Sequence, residues 1–446
     1  MVKNIVIIGA GPAGLLLAHY LSNRSNNYQI YIYEKRSDSR ANNYSKRAFV
    51  VGLTRRGQQA LKAIDGLWSS VKQQGIQIRK SAIYSQKKQG WQSFLRNKEP
   101  DNFSLLINRN DLCIALLNEL EKRNNNQIKI IFDSPCIDIN LKEHTVNLRV
   151  NDNSLITQSY DLLVGSDGVN SVVREAFMKR PGFDFQQKYF DTAWKTIHIP
   201  RPKNIAVDTS YLFRKIYRED RSRFKQYSLS GAAIPEINDR LCVLMFWTQE
   251  PTQLIGNPPK VQTYSDLQKM INEEWLPGIE ISDEQAQEFC NQRPSTVVET
   301  KCNRYHDLPG QAVLIGDAAH GMSSYLGQGC QAAFNDVIAL DKLLQEEADN
   351  LNVVLPKYSQ QQVKEGHAIT DLNTQLLPKA KWLIFLFNTA MGITSKMNKR
   401  FPKLFSPPLF FLLSQTTVPY SEVAQRFNFW MRLIKWSNDR VMTKVK

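Results

Sequence analysis

The run Asn4-Ile5-Val6-Ile7-Ile8, followed at once by Gly9-Ala10-Gly11-Pro12-Ala13-Gly14, constrains this chain more than any other stretch. Its β-branched residues favour a buried strand, and the three glycines each meet a steric demand. Gly9 permits a tight turn, Gly11 lets backbone approach a pyrophosphate, and Gly14 lets the next helix pack on the strand. Leu15 to Leu21 reads as that helix, with its N-terminus toward the phosphates. A second apolar run, Ile30-Tyr31-Ile32-Tyr33, ends at Glu34, twenty residues beyond Gly14. A carboxylate at that strand end accepts hydrogen bonds from adenosine ribose hydroxyls and disfavours a 2′-phosphate. Ala13 in the turn and Lys35 beside the acid complete the contact set. The unit is β-turn-α-β, hence part of a parallel sheet, and it predicts a dinucleotide ligand, either FAD or NAD.

Further buried strands are expected at Ile128 to Phe132, Asp161 to Val164 and Ala312 to Ile315, the last two running into glycine and aspartate. From about Phe183 to Phe246 aromatic and β-branched residues alternate with polar ones, which predicts an antiparallel sheet with one face over a cavity. After Ala332 the pattern is helical to the end, punctuated by Pro378, Pro402, Pro407, Pro408 and Pro419. With 446 residues the chain has room for two or three intertwined units.

Composition narrows the function classes. Apolar residues at 42% and charged residues at 22% exclude a disordered, fibrous or membrane-spanning chain. The formal charge of +15 favours anionic partners. No RNP-like, zinc-binding or helix-turn-helix signature accompanies it, so nucleic acid is not expected. Six cysteines lie scattered without a CxxC pair or a histidine cluster at zinc-ligand spacing, which predicts no metal site and a reduced, cytoplasmic setting. The apolar stretch before Gly9 is too short for a signal peptide. GxSxG and HExxH motifs are absent, and with them hydrolase and zincin chemistry.

The choice between FAD and NAD turns on two later stretches, Asp161-Leu162-Leu163-Val164-Gly165-Ser166-Asp167-Gly168 and Leu314-Ile315-Gly316-Asp317-Ala318-Ala319-His320. Here the chain resembles the single-component (group A) flavoprotein aromatic monooxygenases, whose DG and GD motifs these stretches match. No second GxGxxG unit follows residue 100, so NADPH or NADH is expected to act as a transient reductant on the flavin domain. The resemblance is strongest to the kynurenine 3-monooxygenases and the violacein-pathway monooxygenases of tryptophan-derived indoles. It is carried by Arg47 to Leu61, Asn108-Arg109-Asn110-Asp111-Leu112, Phe185 to Phe190 and Pro419 to Arg426.

The resemblance implies an α/β fold: a Rossmann-like FAD-binding domain of the aromatic-hydroxylase (glutathione-reductase-like) type, interleaved with an antiparallel β-sheet substrate domain, plus C-terminal helices. The FAD part spans 1–70, 101–180 and 300–345, the substrate part 71–100 and 181–299, and the helical region 346–446. Arg47 is expected to contact the flavin and Arg109 the cofactor phosphates. Asp167 with Gly168, and Gly316 with Asp317, are expected at the cofactor, and Arg174 to assist. The helix opening at Gly327, Gln328, Gly329, Cys330 and Gln331 would aim its N-terminal dipole at the flavin's pyrimidine edge. Arg79 aligns with the arginine that grips the substrate carboxylate, a pairing suited to a guanidinium fork.

His320 is a candidate proton relay. Gln331 and Leu377 depart from the family's asparagine and tyrosine, which points away from kynurenine itself, and Ser324 replaces the proline that the family places near the reactive flavin edge, which keeps a non-hydroxylating rival open. The expected activity is NAD(P)H- and O2-dependent hydroxylation of an aromatic, carboxylate-bearing tryptophan- or kynurenine-like substrate through a flavin C4a-hydroperoxide. The rival is a flavin oxidase or reductase without oxygen insertion. The apolar, lysine-rich C-terminal helices read either as a roof over the site or as a peripheral membrane contact.

Overall fold

The computed structural model describes residues 4–24, 27–41, 48–85, 87–95, 103–123, 126–150, 154–218, 226–248, 256–258, 260–378 and 380–443. Its organising element is a six-stranded sheet in the order His306–Asp307, Ala312–Leu314, Leu162–Gly165, Asn4–Ile8, Gln29–Tyr33, Ile128–Ile131. Every neighbouring pair is parallel except the outermost, His306–Asp307 with Ala312–Leu314. Val6, Ile7, Leu163, Val164, Val313 and Leu314 are fully buried, which is why these strands read as continuous apolar runs rather than alternating ones. Register aligns Ile8 with Gly165 and Gly165 with Leu314. The turns after the three central strands therefore leave the sheet at one edge.

Two further sheets have three strands each. Cys136–Asn140, Thr145–Val150 and Ser154–Ser159 form a meander, and Val50–Leu53, Ser104–Asn108 and Ile76–Ile78 form the other. Ile76–Ile78 pairs with Ser104–Asn108, so the large sheet, antiparallel except where Lys80–Ser85 runs parallel to Thr209–Arg218, takes up the chain only from Lys80. That sheet has seven strands, in the order Ser295–Cys302, Phe185–Pro200, Arg240–Thr248, Gln226–Glu236, Thr209–Arg218, Lys80–Ser85, Gly90–Leu95. Its outer face packs Leu229, Val243, Met245 and Trp247 on Leu267, Ile271, Trp275 and Phe289 of the helical segment that follows.

The inner face of the large sheet meets the small sheet of Val50–Leu53 and Ser104–Asn108 at a polar seam. His198 Nε2 donates to the Ala48 carbonyl at 2.9 Å, while its Nδ1 lies 2.9 Å from Glu236 Oε2. Asn108 Nδ2 donates to Glu236 Oε1 at 2.8 Å. Phe49 stands edge-on to Trp194 with ring centroids 5.5 Å apart. His198, Glu236 and Cys242 offer ligand atoms within 4.8 Å of one another. The histidine and carboxylate are here engaged with each other, Ala48 and Asn108.

The C-terminal helices are Leu351–Gln375, Lys381–Arg400, Leu409–Gln415 and Tyr420–Thr443. Leu409, Leu412, Leu413 and Tyr420 share a core with Leu326 and Ala332, so these helices cover the loop that opens at Gly321. Glu365 fastens the last of them. Its Oε2 accepts from the Tyr420 N–H at 2.6 Å and the Ser421 N–H at 3.3 Å, and its Oε1 from Ser421 Oγ at 2.5 Å. Lys381–Arg400 buries only Leu383 and exposes Trp382 and Phe385. Among the described residues no helix is long and apolar enough to cross a membrane.

Glu365→Ala removes a charged N-terminal cap, leaving two N–H groups of the last helix unpaired. We expect a loss of about 2 kcal/mol in chemical denaturation and earlier proteolysis beyond residue 415, both measurable on purified protein.

Candidate cofactor site

Three turns meet at the carboxyl edge of the parallel sheet. In the first, Gly9 has φ of +106° and its N–H donates to the Tyr33 carbonyl at 2.8 Å. A Cβ on Gly9 would lie 2.6 Å from the Ser166 carbonyl oxygen, and one on Gly14 2.3 Å from the Gly9 carbonyl oxygen. The glycine turn is thus closed against the second turn, and Ser166 Oγ fastens it by donating toward the Ile8 and Gly9 carbonyls at 2.9 and 2.8 Å. In the third turn a Cβ on Gly316 would stand 3.6 Å from Ala13 Cβ and 3.1 Å from Ala333 Cβ. Stretches more than three hundred residues apart in the chain thus lie so close that one added methyl group would touch both.

Charged groups gather around this edge. Glu34 accepts from the Ala10 N–H at 2.9 Å and the Arg36 N–H at 3.0 Å, placing its carboxylate beside the glycine turn, while Lys35 is exposed. Arg109 opens the helix Arg109–Arg123, and its guanidinium lies where a Cβ on Gly11 would be 3.4 Å from it. Asp167 Oδ2 accepts from the Val172 N–H at 2.7 Å, capping the helix Val172–Met178, and Oδ1 is buried without a partner among the described residues. Burial pushes the Asp167 carboxyl up, against these hydrogen bonds. Asp317 is open to water but low in the cleft. The surrounding protein pushes its carboxyl up, while His320 and Arg109 draw it back.

Helices Pro12–Arg24 and Gly329–Glu346 carry no acid in their first turns, so both N-termini keep their positive potential. Gly168 and Gly327 have φ of +81° and +63°, with no atom within 4 Å of an added Cβ. These observations fit a bound dinucleotide: an uncrowded glycine cradle, a guanidinium at the phosphate end, and a buried carboxylate oxygen lacking a donor.

Several expected residues serve the site from behind. His320 is 1% exposed, with Nε2 2.6 Å from Asp336 Oδ2, an oxygen that also accepts from the Gly316 N–H at 2.7 Å. The ring anchors the third turn to the helix through Nε2, while Nδ1 is buried with no partner among the described residues, so neither nitrogen opens to water. Burial opposes its protonation, but the Asp336 carboxylate prevails and holds its pKa above 6.5. Arg174 is likewise buried, donating to the Ala318 carbonyl at 2.9 Å and the Val169 carbonyl at 2.5 Å, so it joins the second turn to the third instead of facing a ligand.

Gln331 Nε2 donates to the Gly52 and Gly327 carbonyls at 2.6 and 2.9 Å, and Gln328 Oε1 accepts from the Tyr420 hydroxyl at 3.0 Å. Their side chains bind protein, leaving backbone N–H groups at the helix start. Burial pushes the Cys330 thiol up, so it stays protonated and acts as a small filler. Arg79 is exposed at the entry to the large sheet, its N–H donating to the Asp208 carbonyl at 3.1 Å. Arg47 lies outside the described residues. Sequence reasoning missed Ser166, Asp336 and Glu365. A lone acid within the apolar helical run Phe334 to Leu340 was the available signal for Asp336.

A parallel dinucleotide sheet with three converging turns, set against a mostly antiparallel sheet, defines the class: an FAD-dependent monooxygenase of the aromatic-hydroxylase type. Residues 3–371 match the FAD binding domain family, and the chain belongs to it. It is similar to kynurenine 3-monooxygenase of Sus scrofa, at 28% identity over 442 residues, covering 97% of this chain and 88% of that protein. Violacein synthase of Chromobacterium violaceum is 25% identical over 451 residues, with 97% and 99% covered. Among solved structures, the tetrameric form of 2-methyl-3-hydroxypyridine-5-carboxylic acid oxygenase superposes with a TM-score of 0.62 at 19% identity, covering 83% of this chain and 90% of that one.

Asp336→Asn breaks a buried charged pair, and we expect a loss of about 3–5 kcal/mol. Because the folded state raises the His320 pKa above its unfolded value of 6.5, the pair's contribution is complete below pH 6.5 and fades as pH rises through the folded-state value. Denaturation of wild type and variant across pH should show their difference shrinking upward.

Proposed function

We propose that this enzyme uses NAD(P)H and O2 to hydroxylate an aromatic, carboxylate-bearing substrate of the tryptophan or kynurenine type. The observation that supports this reading is the half-buried aromatic inner face of the large sheet, with Trp194 and Phe246 in one cross-strand row, set against Phe49 on the flavin side. FAD, when bound, supplies the oxygen-activating chemistry, with electrons from the nicotinamide.

The chain's own residues bind, orient and exclude water. The turn at Gly9, Gly11 and Gly14 and the helix from Pro12 hold the pyrophosphate, Glu34 takes the adenosine ribose, and Arg109 neutralises phosphate. Asp167 and Asp317 accept from hydroxyls of the flavin side chain. The N-terminus of Gly329–Glu346 stabilises negative charge on the flavin ring. The sheet floor keeps the reacting ring dry. Arg79 grips the substrate carboxylate. The FAD part is then 1–70, 101–180 and 300–345, with 71–100 and 181–299 over the substrate and 346–446 as the helical roof. The outer face of Lys381–Arg400, with Trp382 and Phe385 exposed and Lys396, Lys399 and Arg400 at its end, supports peripheral contact with an anionic lipid surface.

Yellow holoenzyme given indolic and anthranilic acids under heavy-isotope O2 should oxidise NADPH and release labelled hydroxylated product together. Peroxide formed in proportion to oxidised substrate, with no label in it, would instead establish an oxidase. Arg79→Gln should raise KM for the acid about tenfold or more with flavin content intact. The full-length protein should float with anionic but not zwitterionic vesicles, and less so at high salt.

A further inference from the structure

Three neighbouring strands of the large sheet bring together donors that no sequence spacing would group. His198 on Phe185–Pro200 lies opposite Cys242 on Arg240–Thr248, and Cys242 lies opposite Ile234 on Gln226–Glu236. Glu236, at the end of that third strand, reaches His198 directly, with Oε2 2.9 Å from Nδ1. Among the described residues this is the one set of three histidine, cysteine or acidic side chains whose ligand atoms converge, each within 4.8 Å of the others. Glu236 and Cys242 are buried and His198 is nearly so.

The proton count at this cluster is informative. His198 Nε2 meets the Ala48 carbonyl at 2.9 Å and must donate to it, because a carbonyl oxygen has no proton to give. A neutral ring then turns a lone pair at Nδ1 toward a carboxylate oxygen. Two acceptors hold 2.9 Å only with a positive charge between them, either a proton or a metal cation. Each donor also has the outer partner that orients a metal ligand. Ala48 takes the far N–H of the ring, Asn108 Nδ2 donates to Glu236 Oε1 at 2.8 Å, and the Val50 N–H donates to the Cys242 sulfur. All three partners stand on the small-sheet side of the seam. Arg240 Nη2 lies 3.8 Å from Glu236 Oε2 on a partly exposed side chain, which can turn to water when a cation takes that oxygen.

We infer that His198, Glu236 and Cys242 form a zinc-binding site that clamps the large sheet to the small one. Zn2+ is borderline-soft and accepts one nitrogen, one oxygen and one sulfur donor, with a water completing the tetrahedron. Mg2+ and Ca2+, which take oxygen ligands, do not match a thiol. On binding, Zn2+ replaces the proton held between His198 and Glu236 and displaces the Cys242 thiol proton. Both protons leave to water, the ion neutralises one carboxylate and one thiolate, and no oxidation state changes. The clamp sits beside the Phe49–Trp194 contact and stands whichever acid the enzyme takes as substrate.

The test loads holoenzyme with zinc chloride, strips loose ion by gel filtration with a weak chelator, and counts zinc by atomic emission against bound flavin. Wild type should keep one zinc per chain. Cys242→Ala should keep none at unchanged flavin content, and Asn108→Ala should weaken zinc about ten- to hundredfold. Cobalt loaded in the same way should give the visible bands of a tetrahedral thiolate site, at longer wavelength than oxidised flavin. Those bands should vanish in Cys242→Ala and persist in Cys290→Ser, whose thiol packs against the outer core. Wild type that surrenders its zinc to the chelator, or zinc and cobalt bands that survive Cys242→Ala, overturns the site. Should Cys242→Ala fail to hold flavin, Glu236→Gln decides: zinc lost at normal flavin content supports the site, and zinc retained overturns it.

Discussion

The alignment of parallel strands Asn4–Ile8, Leu162–Gly165 and Ala312–Leu314 is the constraint on which the rest depends. In a parallel sheet every strand ends at the same edge, so the turn after each is delivered to one place whatever the length of chain between them. The glycine turn, the Asp167 turn and the Asp317 turn meet because their strands are hydrogen-bonded neighbours in register. Each turn contributes a separate chemical element: free N–H groups, a capped carboxylate with one free oxygen, and an acid low in the cleft. A one-residue slip would turn Gly165 away from Ile8 and bring a side chain against the first turn.

Turns alone are soft, and this edge is stiffened from the protein side. Ser166 ties the first two turns, Arg174 the second and third, and Asp336 secures the third to the helix behind it through both Gly316 and His320. Buried polar groups bonded in this way fix the geometry of the edge. They also leave the outward-facing N–H groups and carboxylates unspent. The division of labour explains why His320, Gln328 and Gln331 are buried and bonded to protein although they sit within cofactor-motif sequence.

The second sheet is positioned by a seam whose members come from distant parts of the chain: Ala48 and Asn108 on one side, His198 and Glu236 on the other. This polar junction, with the Phe49–Trp194 contact beside it, holds the sheet's inner face toward the flavin side. The C-terminal helices close the rear loop through Tyr420 on Gln328 and Leu413 against the core of Leu326. The same helices leave Trp382 and Phe385 in solvent.

Much of the fold was legible in the chain because local chemistry encodes it. A glycine where φ is positive, as at Gly9 and Gly316, continuous apolar runs for strands buried on both faces, and Pro378, Pro402, Pro408 and Pro419 beside helix ends are short-range signals. What the sequence could not tell was which polar residues face the ligand and which face protein. His320 and Asp317 are three residues apart, yet one is sealed behind the turn against Asp336 and the other opens into the cleft. That difference is set by a carboxylate on a separate helix. Likewise Arg174 and Arg109 both read as cofactor cations, but Arg174 is drawn inward by two carbonyls that only the folded sheet brings near. The sequence by itself determined a dinucleotide-binding parallel sheet, since strand, turn and helix propensities act within a few residues. The partners of each charged group were decided by tertiary structure, because a hydrogen bond between distant segments exists only once the sheet register has placed them together.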